Sequence, residues 1–334
     1  VGGGDQGLPV PAVAFPVLTY DAARAAFRAM RRTSQKSVVF KTSVPEMENV
    51  GQWLGEFSVS VIAASVKEQR TAEGWGPVYL QAELPTVQRQ AYEDDPDGVV
   101  RRLTEQIDGA VNAGIYNLSV NAASLINYDR KTAQARQRLN GRVTAACFRY
   151  IRSVEPKQMR ISVNASLGEL SGIDPREDSR ALLRRIEKES DGNDLPELTM
   201  ISACPESTEV QSDETILDTA TLRELAAYGR EKLGIIGVLW HCPASLSAEQ
   251  VPQLSEYGVV EYHPPLDLQE YILTHARLPQ KLSVLIRDHS TASQPIPDAS
   301  HPAEASWRRM PPQHLWRKKA PAKRAILDDV EQVL

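Results

Sequence analysis

Short apolar runs alternate with longer amphipathic segments along this chain. The runs are rich in Val, Ile and Leu, which is typical of strands buried on both faces. Eight such runs are present, at residues 10–15, 37–41, 77–81, 115–120, 159–163, 198–204, 235–240 and 258–262. Segments with helical spacing of apolar residues lie between them, at residues 22–30, 99–111, 133–151, 180–186 and 222–233. The pattern therefore predicts repeated strand-helix units.

Eight buried strands separated by crossover helices predict an α/β fold with a closed (β/α)8 TIM barrel. An open doubly wound sheet is the alternative, but the first strand-helix junction lacks a GxGxxG turn. Thr19 is expected to cap the first helix, while Gly114 and Gly234 are expected to end helices just before strands. We expect the barrel to span residues 9–277.

Residues 278–334 differ in character from the rest of the chain. Residues 278–312 are rich in Pro, Ser, Ala and His, and they are followed by a basic run at residues 316–319 and a predicted helix at residues 322–330. Because the chain as a whole is acidic, this run is more typical of a solvated face than of a nucleic-acid patch. We expect an extension that docks on the barrel or on a partner.

Composition excludes several classes of protein. The 334 residues include 42% hydrophobic and 24% charged residues and carry a net charge of -5, so no general attraction to nucleic acid or anionic membranes is expected. The apolar runs are too short for a membrane span, and no secretory signal is recognisable. Three dispersed cysteines form no CxxC pair, which favours a reducing compartment such as the cytoplasm or an organelle interior.

Candidate chemistry lies where predicted strands end, because TIM barrels carry their active sites at that face. The candidate metal ligands are His241, His263 and Glu209, since a catalytic zinc usually takes three protein ligands. Glu83 is a candidate general acid or base. Lys41 is a candidate Schiff-base lysine if it is desolvated, the alternative being an ordinary salt-bridged lysine.

Five stretches carry a family resemblance. They are VPAVAFPVLTYDAARAAFRAM at residues 10–30, GPVYLQAE at 76–83, DGAVNAGIYNLSVNAASL at 108–125, MRISVNASLGELSG at 159–172 and GVLWHCPAS at 237–245. Over residues 9–276 the chain resembles the class II fructose-bisphosphate and tagatose-bisphosphate aldolase superfamily, as a divergent member. The resemblance implies a TIM barrel, and it implies oligomers because its members commonly form them.

The resemblance also implies a divalent metal, commonly zinc, that polarises a substrate ketone. The family's Asp-His pair after the third strand falls on Glu83 and Leu84, and leucine cannot bind a metal. The second metal histidine falls on Glu209, and the third matches His241. The family's glutamate after the fifth strand falls near Ser166. Of this constellation only His241 is unchanged, so the ancestral metal site is expected to be largely lost.

The family's phosphate site is altered as well. The resemblance implies glycine-rich turns whose backbone N–H groups bind phosphate. This chain has Cys-Pro-Glu at residues 204–206 and Cys-Pro-Ala at residues 242–244. Proline removes a donor and glutamate adds negative charge, so phosphate binding is expected to be lost too.

Two functions follow from these changes. The first is a non-catalytic structural or assembly subunit that uses a protein partner or a second copy and needs no cofactor. The second is a remodelled aldolase or lyase that makes or breaks a carbon-carbon bond in a sugar-like hydroxy-ketone. It would use Glu83 as acid or base, with either a zinc or other divalent ion on Glu209, His241 and His263, or Lys41 as the electrophile-forming group.

Overall fold

The computed structural model describes most of the predicted barrel. The described residues are 11–17, 20–33, 38–44, 50–69, 78–169, 174–189, 199–204, 219–233, 235–241, 246, 249–264 and 328–329. Thr19, Glu209, Gly234 and nearly all of the predicted extension at residues 278–334 lie outside this set, as do the turns at residues 205–206 and 242–244. The predictions for those positions stay predictions.

Eight parallel strands close into a barrel in sequence order, which confirms the predicted (β/α)8 fold. The strands are β1 (Ala12–Pro16), β2 (Val38–Ser43), β3 (Val78–Glu83), β4 (Asn117–Val120), β5 (Ser162–Glu169), β6 (Met200–Cys204), β7 (Gly237–His241) and β8 (Val259–His263). Most strands begin and end one to three residues later than the apolar runs indicate, a usual size of error at strand ends.

Helices lie between the strands. In the described part of the chain they are α1 (Tyr20–Thr33), α2 (Val50–Gln69), α3 (Arg89–Asp94), α4 (Pro96–Asn112), α5 (Ala133–Arg136), α6 (Arg138–Val154), α7 (Pro175–Glu189), α8 (Thr219–Leu233) and α9 (Gln250–Gln253). No helix in this part of the chain combines the length and apolar character that a membrane crossing requires.

Helix α2 is absent from the sequence prediction. It is apolar around most of its circumference, since Leu54 and Phe57 are buried while Val59, Ile62 and Val66 are exposed. A helix without a polar face lacks the periodic signal on which the prediction depends. The predicted helix at residues 133–151 is also wrong as a single unit, because it is divided at Gln137 into α5 and α6.

The hydrophobic core lies between the barrel and its helices. Phe40 of β2 contacts Phe27 of α1, with ring centroids 5.0 Å apart in an edge-to-face arrangement. Ile107 and Phe148 bring α4 and α6 into the same fully buried cluster. Gly114 has a φ of 76° just after α4, a left-handed conformation that favours glycine, and so confirms the predicted helix end.

The inner faces of the strands form stacked layers. Strand tilt makes each layer from alternate strands, and the pairing registers assign the members. From the carboxyl end of the barrel inward, we name them the mouth layer (Pro16, Glu83, Ser166, His241), the lysine layer (Lys41, Ser119, Ser202, His263) and the amide layer (Ala14, Gln81, Asn164, Leu239). TIM barrels usually fill these positions with Val, Ile and Leu. This lumen is polar instead.

A buried network of polar side chains contacts β5 near its carboxyl end, on the side that faces the helices. The Asp178 carboxylate of α7 accepts hydrogen bonds from Arg136 Nη2 at 2.5 Å and from Gln137 Nε2 at 3.0 Å. Asn140 Nδ2 then donates to Gln137 Oε1 and to the backbone carbonyl of Ser166. The network therefore holds the strand end that contributes Ser166 to the mouth layer.

Candidate active site

Lys41 lies at the centre of a charged cluster near the carboxyl end of the barrel. Its Nζ is 2.9 Å from His263 Nδ1 and 3.1 Å from Glu83 Oε1. The first contact joins β2 to β8 across β1, which is possible because the β1 residues that face the lumen at this level, Ala14 and Pro16, are small. The Lys41 side chain is 13% exposed and that of Glu83 is 21% exposed, so both retain limited access to solvent.

His263 connects Lys41 to a deeper carboxyl group. Its Nε2 lies 2.5 Å from Glu261 Oε1, while its Nδ1 faces Lys41. His263 and Glu261 are 3% and 4% exposed, respectively. The imidazole therefore bridges the lysine and a buried glutamate, and its Nδ1 also lies 3.4 Å from Glu83 Oε1.

His241 completes the cluster from β7. Its ring packs edge-to-face against the ring of His263, with centroids 4.4 Å apart. Burial lowers the pKa of His241 to about 4, aided by the positive charge of Lys41 and opposed by Glu83. Burial likewise holds the pKa of His263 well below its usual range, with Lys41 and His241 acting in the same direction. Both imidazoles are therefore neutral at neutral pH.

The pKa of Glu261 is raised, whereas the pKa values of the two histidines are lowered. Burial raises its pKa to about 8, while Lys41 lowers it and Glu83 raises it further. The Gln81 amide lies close enough to lower this pKa slightly, although its geometry does not form a hydrogen bond. A carboxyl group with this pKa holds its proton at neutral pH and releases it as the pH rises through about 8.

Two proton arrangements satisfy the same heavy-atom positions. In the first, the Lys41 ammonium donates to His263 Nδ1, and the Nε2–H of His263 donates to the Glu261 carboxylate. In the second, protonated Glu261 donates to Nε2, and the Nδ1–H donates to a neutral Lys41 amine. The two arrangements carry the same net charge and differ by a shift of two protons. The contacts thus connect Lys41 to Glu261 through the two ring nitrogens of His263.

The raised pKa of Glu261 predicts a loss of stability with rising pH. In the unfolded chain Glu261 ionises near 4.5, whereas in the folded protein it ionises near 8. The folded state therefore binds more protons in this window, and stability falls as pH rises through it. His241 and His263 act in the opposite direction, because in the unfolded chain they still hold part of a proton at pH 6.5, and they offset part of this loss. We therefore expect the wild type to lose about 1.5 kcal/mol more stability than Glu261→Gln between pH 6.5 and 8.

Urea unfolding of both proteins at pH 6.5 and pH 8 measures this difference. Glu256→Gln is the matched control, because Glu256 is an exposed carboxylate on the segment before β8. A Glu261→Gln variant that loses as much stability as the wild type over this pH range would contradict the assignment.

Glu83, His241 and His263 also form a possible metal site. Their ligand atoms all lie within 4.8 Å of one another, and Glu261 orients His263 as outer-sphere carboxylates often do. An ion bound by these atoms would lie roughly 2.0–2.2 Å from each. Lys41 Nζ occupies that same space, 2.9 Å and 3.1 Å from two of them. The residues therefore do not fit a resident metal while Lys41 holds this position.

Four of the candidate site residues meet in space. The structure brings together Lys41, Glu83, His241 and His263, whereas Glu209 lies outside the described residues. Glu261 is a further site residue; it lies at the end of the eighth predicted strand, but the sequence pattern assigned it no role. A signal was present, because a glutamate two positions before His263 in a buried strand must share its lumen-facing side.

No family model matches the chain, and no curated protein matches it. Solved structures do. A probable tagatose 6 phosphate kinase from Sinorhizobium meliloti 1021 matches with a TM-score of 0.58 and 13% identity, over 97% of this chain and 87% of that chain. At this identity the likeness establishes the TIM-barrel fold alone.

Two further matches are more distant. The metallated homocysteine methyltransferase of Escherichia coli has a TM-score of 0.46 and 11% identity, over 78% of this chain and 92% of that chain. A truncated 3-deoxy-D-arabino-heptulosonate 7-phosphate synthase from Thermotoga maritima has a TM-score of 0.41 and 13% identity, over 79% of this chain and 78% of that chain.

Proposed function

We propose that this chain is a carbon-carbon lyase that forms an imine between Lys41 and the ketone of a sugar-like hydroxy-ketone. The observation that carries the proposal is the position of Lys41, which is partly buried in the lumen between a carboxylate and an imidazole. A lysine in this setting has both an activating base and a neighbouring acid. The resemblance to class II aldolases supports the same reaction class, although those enzymes polarise the ketone with a divalent metal and this proposal uses an imine.

Imine formation begins with the neutral amine. The relay starts from the form in which Glu261 is ionised, which is populated increasingly as the pH rises toward about 8. The ammonium proton of Lys41 then passes to His263 Nδ1 as the Nε2 proton passes to Glu261, which the 2.9 Å and 2.5 Å contacts allow. The amine nitrogen then attacks the ketone carbon, and the carbonyl oxygen leaves as water after taking one proton from that nitrogen and one from Glu261 by way of His263. The product is a protonated imine, whose positive charge attracts electrons from the adjacent carbon.

Carbon-carbon cleavage then requires a base for the substrate hydroxyl. The Glu83 carboxylate, in the mouth layer directly above Lys41, is placed to take the proton of the hydroxyl two carbons from the imine carbon. The carbon-carbon bond breaks, an aldehyde leaves, and the bonding electrons form an enamine on Lys41. Protonation of the enamine and hydrolysis of the imine by water release the second product and restore the amine.

A second candidate is a metal-dependent lyase. The observation that favours it is the arrangement of Glu83, His241 and His263, which supplies three ligand atoms of suitable type. It requires Lys41 to leave its position between these groups. The predicted non-catalytic subunit has no support from the described residues, because an inert barrel gains nothing from a buried cluster of five ionisable groups.

Borohydride trapping tests the proposed function. Incubation with dihydroxyacetone and sodium borohydride should reduce the imine and add one three-carbon unit at Lys41, located by peptide mass spectrometry. Lys67, an exposed lysine on α2, is the internal control and should remain unmodified. Metal analysis of the same sample separates the two candidates. Absence of an adduct at Lys41, together with stoichiometric bound metal, would overturn imine chemistry.

A further inference from the structure

The amide layer lies directly beneath Lys41 and contains unpaired amide groups. Gln81 is fully buried and Asn164 is 1% exposed. Neither Nε2 nor Oε1 of Gln81 has a hydrogen-bond partner, and neither does Oδ1 of Asn164. Both side chains face the lumen, because Gln81 pairs in register with Lys41, and Asn164 pairs with Ser119, the register partner of Glu83.

Unpaired amides at the barrel centre are energetically unfavourable. A buried amide without partners destabilises a fold relative to an apolar side chain of the same shape. TIM barrels normally fill these layers with branched apolar residues, and this chain uses such residues on the outer faces of the same strands, including Leu118 and Val163. Polar residues at positions that are normally apolar, next to a cluster of ionisable groups, are typical of a functional site.

The neighbouring positions carry small side chains. Ser119 and Ser202 share the lysine layer with Lys41 and His263, and Ala14 shares the amide layer with the two amides. Ser and Ala have less side-chain volume than the Val, Ile or Leu that usually fill such layers. A ligand attached to Lys41 would meet these small side chains and the amides of Gln81 and Asn164.

We propose that Gln81 and Asn164 bind the hydroxyl groups of an uncharged polyhydroxylated ketone. This inference rests on the proposed function, since it names the substrate class of the same site. Amide N–H groups donate to hydroxyl oxygens, and amide oxygens accept from hydroxyl groups, so each amide matches an alcohol in both directions. Lys41 is the one lysine or arginine in the described lumen layers. In the proposed reaction its nitrogen is bonded to the ketone carbon, so it does not pair with a phosphate. A phosphate at this depth would lack a cation and would approach Glu261.

Isosteric substitutions test the subsite. Gln81→Met and Asn164→Leu remove the amide groups at nearly constant shape. Gln106→Met is the matched control, because Gln106 is also buried with an unpaired Oε1 but lies on α4, outside the barrel. Borohydride trapping at Lys41 is measured against the concentration of dihydroxyacetone, hydroxyacetone and dihydroxyacetone phosphate.

We expect the wild type to trap dihydroxyacetone at about tenfold lower concentration than hydroxyacetone, which has one hydroxyl fewer. Gln81→Met or Asn164→Leu should remove most of this preference and raise the Tm by about 2 °C. The control should keep the preference. The proposal is overturned if the phosphate ester is trapped at the lowest concentration, or if both lumen variants behave as the wild type does.

A ligand without a carbonyl separates this inference from the proposed function. D-Arabinitol cannot form an imine, so its binding to a Lys41→Met variant reports the subsite alone in saturation-transfer NMR. Arabinitol binding that depends on Gln81, without any ketone adduct in the wild type, would support the subsite and overturn imine chemistry. Ketone adducts at Lys41 that are insensitive to both lumen substitutions would support imine chemistry and overturn the subsite.

Discussion

Replacing Lys41 with methionine is expected to abolish the borohydride adduct and to lower the rate of hydroxy-ketone cleavage by at least roughly 10³-fold. Methionine fills similar space but has no amine, so the imine cannot form. The loss should appear in kcat, because the remaining lumen groups still bind the substrate while the covalent step is missing. Steady-state kinetics and intact-protein mass spectrometry measure the two effects on the same sample.

Lys41→Arg separates nucleophilicity from charge. Arginine keeps a positive charge next to Glu83 and His263, but its guanidinium remains protonated and does not form an imine. Its rate should therefore fall as far as that of the methionine variant. The Lys41→Met variant is also incubated with zinc. If it binds zinc stoichiometrically and gains cleavage activity, the metal-dependent candidate replaces the lysine mechanism.

Asp178→Ala is expected to destabilise the fold by about 3–5 kcal/mol, the largest effect on stability that we predict. The Asp178 side chain is fully buried and pairs with Arg136, whose side chain is only 11% exposed. The pair with Asp178 raises the pKa of Arg136, so the guanidinium stays charged when the carboxylate is removed. Gln137 also loses its acceptor. Urea unfolding followed by circular dichroism measures the change.

Two variants on α7 make this result specific. Asp178→Asn keeps an acceptor for Gln137 while removing the charge, so its cost should be smaller than that of alanine. Glu187→Ala changes an exposed carboxylate on the same helix and should alter stability by less than about 0.5 kcal/mol. Equal effects from Asp178→Ala and Glu187→Ala would show that the network contributes little.

The alternation of apolar runs and amphipathic segments was sufficient to predict the barrel. Each run could pair in parallel only if helices returned the chain to the same end of the sheet, and eight such units close on themselves. Lys41, Glu83, His241 and His263 were expected at the carboxyl end of the barrel, because parallel strands have their carboxyl ends together. Helix α2 was not predicted, because its apolar residues are spread around the helix and do not form a single buried side.

What the sequence could not provide was the distance across the lumen. The candidates on strands two, three, seven and eight are spread along the chain from Lys41 to His263. Only strand tilt and register decide which of them share a layer. That register places Lys41 Nζ where a metal would lie and puts Glu261 behind His263. The sequence by itself determined the fold and the face on which chemistry is expected. The tertiary structure decided which groups touch, because contacts across a barrel depend on its closure rather than on order along the chain.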